Sequence, residues 1–447
     1  MSLPTDFIQK YQRLLASQAP EFLTSLAQAP TAGFRLNPQK AQLEQVNEDL
    51  SQPITEVSNG YRGKIDGHSI DHLAGWIYSQ DPSAMNVAQV AQPQAHERVL
   101  DLCAAPGGKT TQLAALMHNQ GLLIANEINH SRARVLSSNV ERWGLTQTVV
   151  TNNSPAQLAA IFPHFFDCIV VDAPCSGEGL FRKDPTAMQY WSLDLVQQCA
   201  QRQQEILISA MQMLAPQGRI IYSTCTFAPE EDEQIIAWLL DNYPLTVQDL
   251  PRPAGVDSGR PEWGNQQMEL KKAWRLFPQH YAGEGHFICA LQCTETASSY
   301  QSSQEPYHRS NWPDQQLWQD FEQQTLQNIS WPQLLRQQDN LYCPALNPET
   351  LASSKVLRNG LKLGTFKKKR FEPDHALVLA LRPDQFQQVF DLNSSQFQHF
   401  VHGEALILTQ NLPKGWIAVS YQNKIFAWGK VVQNQLKNFL PKGLRQP

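Results

Sequence analysis

Two cysteines and an aspartate carry the chemistry available to this sequence. Asp172-Ala-Pro-Cys175-Ser-Gly-Glu-Gly179 follows one apolar run, and Ser223-Thr-Cys225-Thr226 follows another. Each thiol stands on a polar, turn-forming corner. Cys168 and Cys199 instead fall inside a strand and a helix and read as small packing residues. A cysteine attacks as its thiolate and a free one titrates near ~8.5, so a reactive thiol here needs a neighbouring cation or helix N-terminus. Lys109 and Lys183 are the candidate cations. The eight cysteines (103, 168, 175, 199, 225, 289, 293 and 343) form no CxxC pair and have no histidine at zinc-finger spacing. A metal site is therefore not expected, and in a reducing cytosol they are free thiols.

For Cys175, Cys225 and Asp172 to share one pocket, their strands must end on one edge of a parallel sheet. The pattern supplies such a sheet. Val99-Leu-Asp-Leu-Cys-Ala-Ala-Pro-Gly-Gly-Lys-Thr-Thr-Gln-Leu113 reads as a strand, a glycine turn and a helix from near Thr110. Leu122–Glu127, Thr148–Thr151, Phe166–Asp172 and Gly218–Ser223 read as further strands. Helices are expected around Ser131–Arg142, over Leu193–Leu214 and from Pro229, with Ala273–Gln292 as a closing hairpin. Strands alternating with helices predict an α/β, doubly wound, Rossmann-like core.

Three ligands compete for the glycine turn. A P-loop needs glycine where Cys103 stands, and a dinucleotide fingerprint needs more than Gly107 and Gly108. An S-adenosylmethionine (SAM) pocket needs only the turn and a later acid for the ribose, which Glu127 supplies about 20 residues on. SAM fits best, although the turn alone does not decide it.

Composition bounds the rest. A chain of 447 residues with 42% hydrophobic and 17% charged residues is globular and has two or three domains. It has neither a membrane-length apolar run nor a secretory signal pattern at Met1–Gln9, so a cytoplasmic protein with no membrane association is expected. The net charge of −5 does not suggest a nucleic-acid binder, but the charge distribution does. Lys355–Arg370 holds seven Lys/Arg and no acid, and six Lys/Arg but no acid follow Glu404. Phe366, Trp416, Tyr421, Phe426 and Trp428 interleave with these runs, as on a nucleic-acid surface. Helical spacing at Phe7, Ile8, Tyr11, Leu14 and Leu15 marks a small lead-in, with a short strand at Gly33–Pro38. Residues 61–98 hold Tyr78, Gln80, Asp81 and Ser83 on an expected connecting helix. The Ser/Gln-rich stretch 294–312 has linker composition. Beyond it, Ala376–Leu381, Ala405–Thr409 and Trp416–Tyr421 read as short β runs of an accessory domain.

DLCAAPGGKT, DAPCSGEG with Phe181-Arg-Lys-Asp-Pro185, and YSTCT with Pro229-Glu-Glu-Asp-Glu233 resemble the Sun-type RNA (cytosine-5) methyltransferase family. Arg275-Leu-Phe-Pro, Gly285-His-Phe287 and Phe34-Arg35-Leu36-Asn37 resemble its flanking segments. The C-terminal Gly415-Trp416, Trp428-Gly-Lys430 and Leu436–Lys442 resemble the RNA-binding region of its RsmF-like branch, which methylates 16S ribosomal RNA. The resemblance implies four regions: an RNA-contacting α+β lead-in (1–60), a SAM-dependent catalytic domain (61–293), a linker (294–312) and a mostly β, PUA-like RNA-binding region (313–447). It makes Cys225 the nucleophile towards carbon 6 of cytosine, Cys175 the aid to release, and Asp172 the contact to the base and the cofactor. It assigns SAM to Cys103, Ala104, Ala105, Pro106, Gly107, Gly108, Lys109, Glu127 and Arg132. Where the family has an aspartate near adenine, this chain has Thr151-Asn-Asn-Ser154, so Ser154 or Asn153 stands in. The implied partner is ribosomal RNA or the small ribosomal subunit, met by a monomer. The same chemistry on transfer RNA and an inactive RNA-binding assembly factor are the alternatives.

Overall fold

The computed structural model describes residues 3–296 and 312–446. Its centre is a sheet of β1 (Arg98–Asp101), β2 (Leu122–Asn126), β3 (Thr148–Thr151), β4 (Phe166–Asp172), β5 (Leu214–Thr224), β6 (Leu245–Val247), β7 (Asp257–Ser258), β8 (Trp274–Leu276), β9 (His286–Cys293) and β10 (Val356–Asn359). The order is β7-β8-β9-β5-β4-β1-β2-β3-β10, with β6 beside β9. β1 to β5 are mutually parallel, while β9 and β10 run antiparallel to β5 and β3. The chain winds outward in both directions from β1 and β4, and a ligand site opens at the carboxyl ends beside that switch point.

Alternation along the strands feeds two cores. Leu100, Ile124, Val149, Ile169 and Ile220 pack on one face with Leu158, Leu207 and Ile236 from helices Pro155–Ile161, Leu193–Met213 and Glu233–Asn242. Val99, Leu123, Val150, Val170 and Ile221 pack on the other with Val87, Leu113 and Val140 from helices Pro82–Ala91, Gly108–Leu116 and His130–Trp143. Burial on both faces makes these strands continuous apolar runs. Each fully buried Ile or Leu stabilises the fold by about 1.5–3 kcal/mol. The paired strands β8 and β9 form the closing hairpin over Ala273–Gln292.

The N-terminal helices Thr5–Leu15 and Ala19–Ser25 place Phe7, Tyr11 and Phe22 against Phe181, Trp191 and Phe227, in the loops that carry the two sequence-singled cysteines. Strand Gly33–Leu36 pairs with Gly60–Arg62 and Ile77–Ser79, so one small sheet lies on both sides of residue 60. Its Phe34, Leu36, Trp76 and Ile77 share a core with Phe390, Phe400 and Phe426 near the C-terminus.

Past the linker stretch, whose residues 297–311 lie outside the described residues, come a four-stranded and a five-stranded sheet. The accessory region also lends β10 to the catalytic sheet. The run Ala376–Leu381, expected as β, is helix His375–Ala380. The Asp374 carboxylate accepts from the Ala376 N–H at its start. Ala376 to Leu379 are buried all round, so the run carries no period that separates helix from strand. Among the described residues, no helix is long and apolar enough to cross a membrane.

Candidate active site

The glycine turn follows β1. Its backbone is held from outside: the Ala104 N–H donates to Asn126 O, Arg132 Nη2 to Ala105 O and Asn139 Nδ2 to Pro106 O, at 2.8, 2.8 and 2.7 Å. The Ala105–Pro106 peptide is cis. Gly107 caps the helix at φ +113°, which favours glycine, and a Cβ there would lie 3.1 Å from the end of the Leu136 side chain, which would have to shift slightly. The helix begins at Gly108, two residues before the expected Thr110. Its first turn also accepts a donor that sequence reasoning did not assign. Arg35, only 2% exposed, gives Nη2 to both Gly108 O and Thr111 Oγ1 at 2.7 Å. A lone arginine between Phe34 and Leu36 in a short apolar strand was the available signal.

Acids gather beneath the turn. Asp101 accepts from Thr110 Oγ1 at 2.6 Å through one oxygen, while Oδ1 is buried without a hydrogen-bond partner. Burial pushes its carboxyl up to about 7. Glu127, just past β2, accepts from the Asn129 N–H at 2.8 Å and lies 3.5 Å from Arg132 Nη1. Arg132 is otherwise half-exposed. Burial and then the neighbouring Asp101, Asp172 and Glu127 push the Cys103 thiol far up, so it is no nucleophile. SAM carries a cationic sulfonium. A glycine cradle over clustered carboxylates, one with an orphaned buried oxygen, fits such a ligand.

Ser154 lies at the same edge but caps helix Pro155–Ile161, accepting from the Gln157 N–H while Gln157 Oε1 accepts from its own. Asn153 is less available. Its Oδ1 accepts from Ser354 Oγ and the Lys355 N–H at 2.9 and 3.1 Å.

The two thiols meet. Cys175 Sγ and Cys225 Sγ are 3.3 Å apart, on loops stitched together by Ser176 Oγ to Thr226 Oγ1 at 2.9 Å and Gly179 N–H to Cys225 O at 2.9 Å. The hydrogen bond to Cys225, then burial, holds the Cys175 proton on well beyond the ordinary thiol range. Acids of the two motifs brace these loops. Buried Glu178 accepts from Tyr11 Oη, Trp191 Nε1 and the Phe227 N–H. Glu231, raised to about 7 by burial, accepts from the Ser176 N–H and Gln203 Nε2.

Asp172 completes the group. It accepts from Lys109 Nζ at 2.6 Å and from Ser223 Oγ at 2.7 Å, with His286 Nε2 3.5 Å away. Burial alone would raise its carboxyl, but Lys109 and His286 hold it well below the usual carboxylate range. Burial also works against the Lys109 charge, which Asp172 and then Asp101 and Cys225 favour strongly enough to raise it. Of the two candidate cations, Lys109 is in the site and Lys183 is exposed on the surface. His286 was quoted only as part of a motif, and nothing in its local pattern marks it as facing Asp172.

The basic C-terminal runs divide. Arg358 pairs with Glu141 and fully buried Lys424 with Asp71, so these two cations hold domains together, while Lys362 pairs with Asp374 inside the accessory region. Phe366, Phe426 and Trp428 are core residues rather than surface aromatics, and Tyr421 stacks on Phe397 at 4.2 Å. Of the cations that stay outside, Lys369, Arg370, Lys414 and Lys430 line a groove of about 490 Å³ together with Trp416, with Lys430 Nζ 4.9 Å from the Trp416 ring centre.

Residues 88–292 match the family described as 16S rRNA methyltransferase RsmB/F. Residues 3–82, 320–381 and 387–446 match the RsmF N-terminal domain, its first C-terminal domain and its PUA domain. Ribosomal RNA small subunit methyltransferase F of Escherichia coli (strain K12) is 32% identical over 389 residues, covering 85% of this chain and 80% of its own. The Shigella boydii serotype 4 protein of the same description matches to the same extent. A methyltransferase homologue from Pyrococcus horikoshii superposes with TM-score 0.56 at 27% identity, over 64% of this chain and 93% of that one. NSun6 from the same organism, solved with the SAM analogue SFG, shares the fold at TM-score 0.55 and 18% identity, over 66% and 99%. With matches to every RsmF-specific region and a relative at this identity over most of its length, the chain belongs to the RsmB/F family of 16S rRNA methyltransferases, in its RsmF branch.

Proposed function

We propose that the protein methylates carbon 5 of a cytosine in 16S ribosomal RNA through a covalent Cys225 adduct. The observation that carries this is the 3.3 Å approach of two thiols beside an Asp172–Lys109 ion pair, on the edge where the glycine turn opens. Bound SAM supplies a methyl group on a sulfonium. The turn from Cys103 to Lys109, with Glu127 and Arg132, would hold it, with Ser154 as the residue that would meet its adenine.

The chain's own residues supply the activation. Carbon 5 of cytosine is too weak a nucleophile until a thiolate adds to carbon 6 and makes the ring enamine-like. Lys109, paired with Asp172 at 2.6 Å, is the cation on the edge where Cys225 stands. Asp172 offers a carboxylate to the ring nitrogen and exocyclic amine where charge develops. Cys175 keeps its proton against Cys225 and assists the breaking of the adduct. The target base must leave its stack, at a cost of a few kcal/mol. The groove at Trp416 and its lysines would secure the RNA through phosphate contacts.

The test uses purified small subunits, transfer RNA and labelled SAM side by side. Cys225→Ala abolishes transfer, whereas Cys175→Ala accumulates a protein–RNA adduct that survives denaturing gels. Methylation by Cys225→Ala would sink the nucleophile assignment, and label entering transfer RNA alone would sink the substrate.

A further inference from the structure

We propose that His286 is the proton store of the reaction, lending a proton through Asp172 to the cytosine ring when Cys225 adds to it. The inference rests on the Cys225 adduct just proposed and adds a positioning residue that acts through Asp172.

His286 begins β9 and is 5% exposed. Its Nδ1 lies 2.8 Å from Gly285 O, and a carbonyl only accepts, so Nδ1 carries hydrogen. The other nitrogen, Nε2, is buried with no hydrogen-bond partner among the described residues and stands 3.5 Å from Asp172 Oδ1. A neutral ring would turn a bare lone pair toward a carboxylate oxygen, two buried acceptors face to face. A protonated ring instead turns a donor toward Asp172, which then lies between two cations, Lys109 and His286. Lys109 is the poorer lender, because its surroundings raise it above the ordinary lysine range. An imidazolium gives up a proton near neutral pH. The remaining charged groups around the His286 turn are committed elsewhere. Glu284 pairs with Arg182 at 3.0 Å, and Asp81 accepts from the Glu284 N–H at 3.0 Å.

The step balances. The Cys225 sulfur forms a bond to carbon 6, and the carbon 5–carbon 6 π pair shifts toward carbon 4. The carbon 4–nitrogen 3 pair moves onto nitrogen 3; His286 Nε2 passes its proton to the Asp172 carboxylate, and the carboxylic acid so formed gives a proton to nitrogen 3. The carbon 4–carbon 5 pair then takes the methyl group while nitrogen 3 re-forms its double bond to carbon 4 and returns its proton by the same path. Solvent water takes the carbon 5 proton, and the pair left behind re-forms the carbon 5–carbon 6 bond and expels the Cys225 thiolate.

The experiment compares wild type, His286→Phe, His286→Gln and Cys225→Ala in single-turnover methyl transfer to small-subunit RNA across pH, with SAM binding measured separately. The wild-type profile is bell-shaped, its alkaline limb marking loss of the stored proton. His286→Phe keeps the ring volume and SAM binding but slows transfer about 100-fold, at the low end of general acid–base contributions, and loses that limb. His286→Gln places an amide N–H where Nε2 stood and still donates to Asp172, so RNA KM stays at the wild-type value while the rate and profile follow the Phe variant. If His286→Gln restores the wild-type rate and limb, His286 merely holds Asp172 and the proposal fails; a His286→Phe rate within twofold of wild type overturns it too. Should His286→Phe not bind SAM, the Gln variant alone decides between the same two outcomes. Continued methylation by Cys225→Ala refutes the adduct itself, whatever the His286 variants do.

Discussion

Asp101→Asn separates cofactor electrostatics from scaffolding. In the folded protein this carboxyl titrates at about 7, because it is wholly buried and one oxygen has no partner. In the unfolded chain it titrates near ~3.9. Below ~pH 4 both states are protonated and the group is silent. Between there and pH 7 the unfolded chain ionises while the native state keeps its proton, so native stability falls as pH rises. The gap of about 3 units at 1.36 kcal/mol each makes the accumulated loss about 4 kcal/mol, constant above the folded value. Asparagine still accepts from Thr110 Oγ1 and does not titrate. Urea unfolding of both proteins at a series of pH values should therefore show the variant gaining on wild type by up to about 4 kcal/mol between pH 4 and 7. Binding adds a second readout. A cationic ligand near Asp101 favours the ionised form, so SAM affinity in the wild type should rise toward pH 7 by at most about tenfold per unit, with proton release, and the variant should be flat. A stability difference that does not change between pH 4 and 7 would refute the reasoning.

Two further perturbations probe other parts of the molecule. Lys414→Ala and Lys430→Ala should each lower the salt dependence of RNA binding by about 0.7–0.9 in log–log slope, while Trp416→Ala costs about 1–3 kcal/mol at unchanged slope; filter binding at several salt concentrations reads both, and unchanged slopes would remove the groove from the RNA path. Arg275→Met leaves Glu233 and Asp232, which it pairs with at 0–1% exposure, without their cation. The fold should lose about 3–5 kcal/mol at pH 8 and less at pH 5, where Asp232, pushed above the usual carboxylate range by burial, can take up a proton, as denaturant titration at the two pH values would show.

The five parallel strands and the two cysteine-bearing corners could be read from the chain because burial on both faces writes an unbroken apolar run, and a loop at a sheet edge writes a polar break in it. Leu122–Asn126 and Phe166–Asp172 are such runs, and Cys175 and Cys225 follow such breaks. Where burial is complete but the element short, the same signal misleads. Ala376–Leu379 is as apolar as a strand and is a helix, decided by Asp374 at its start. Charge misleads for a related reason. A lysine run looks like a polyanion surface whether or not distant acids neutralise it, and Arg358, Lys362 and Lys424 find Glu141, Asp374 and Asp71 across hundreds of residues or a neighbouring strand.

What stayed hidden at the site has a single physical origin: its residues are positioned by partners outside the Rossmann core. The loop of Cys175 is braced by Tyr11 through Glu178, and the turn before His286 by the Thr31 N–H on Glu284. The glycine turn rests on Arg35, and Asn153 past the third strand is held by Ser354 and Lys355. A sheet alone fixes where strands end, to within a turn. Bringing two sulfurs to 3.3 Å, and a histidine to 3.5 Å from an ionised aspartate, needs loops whose own hydrogen bonds are satisfied in one arrangement. The lead-in helices, the small N-terminal sheet and the segment leading into β10 supply those bonds, so this edge is a joint product of several domains rather than a property of one.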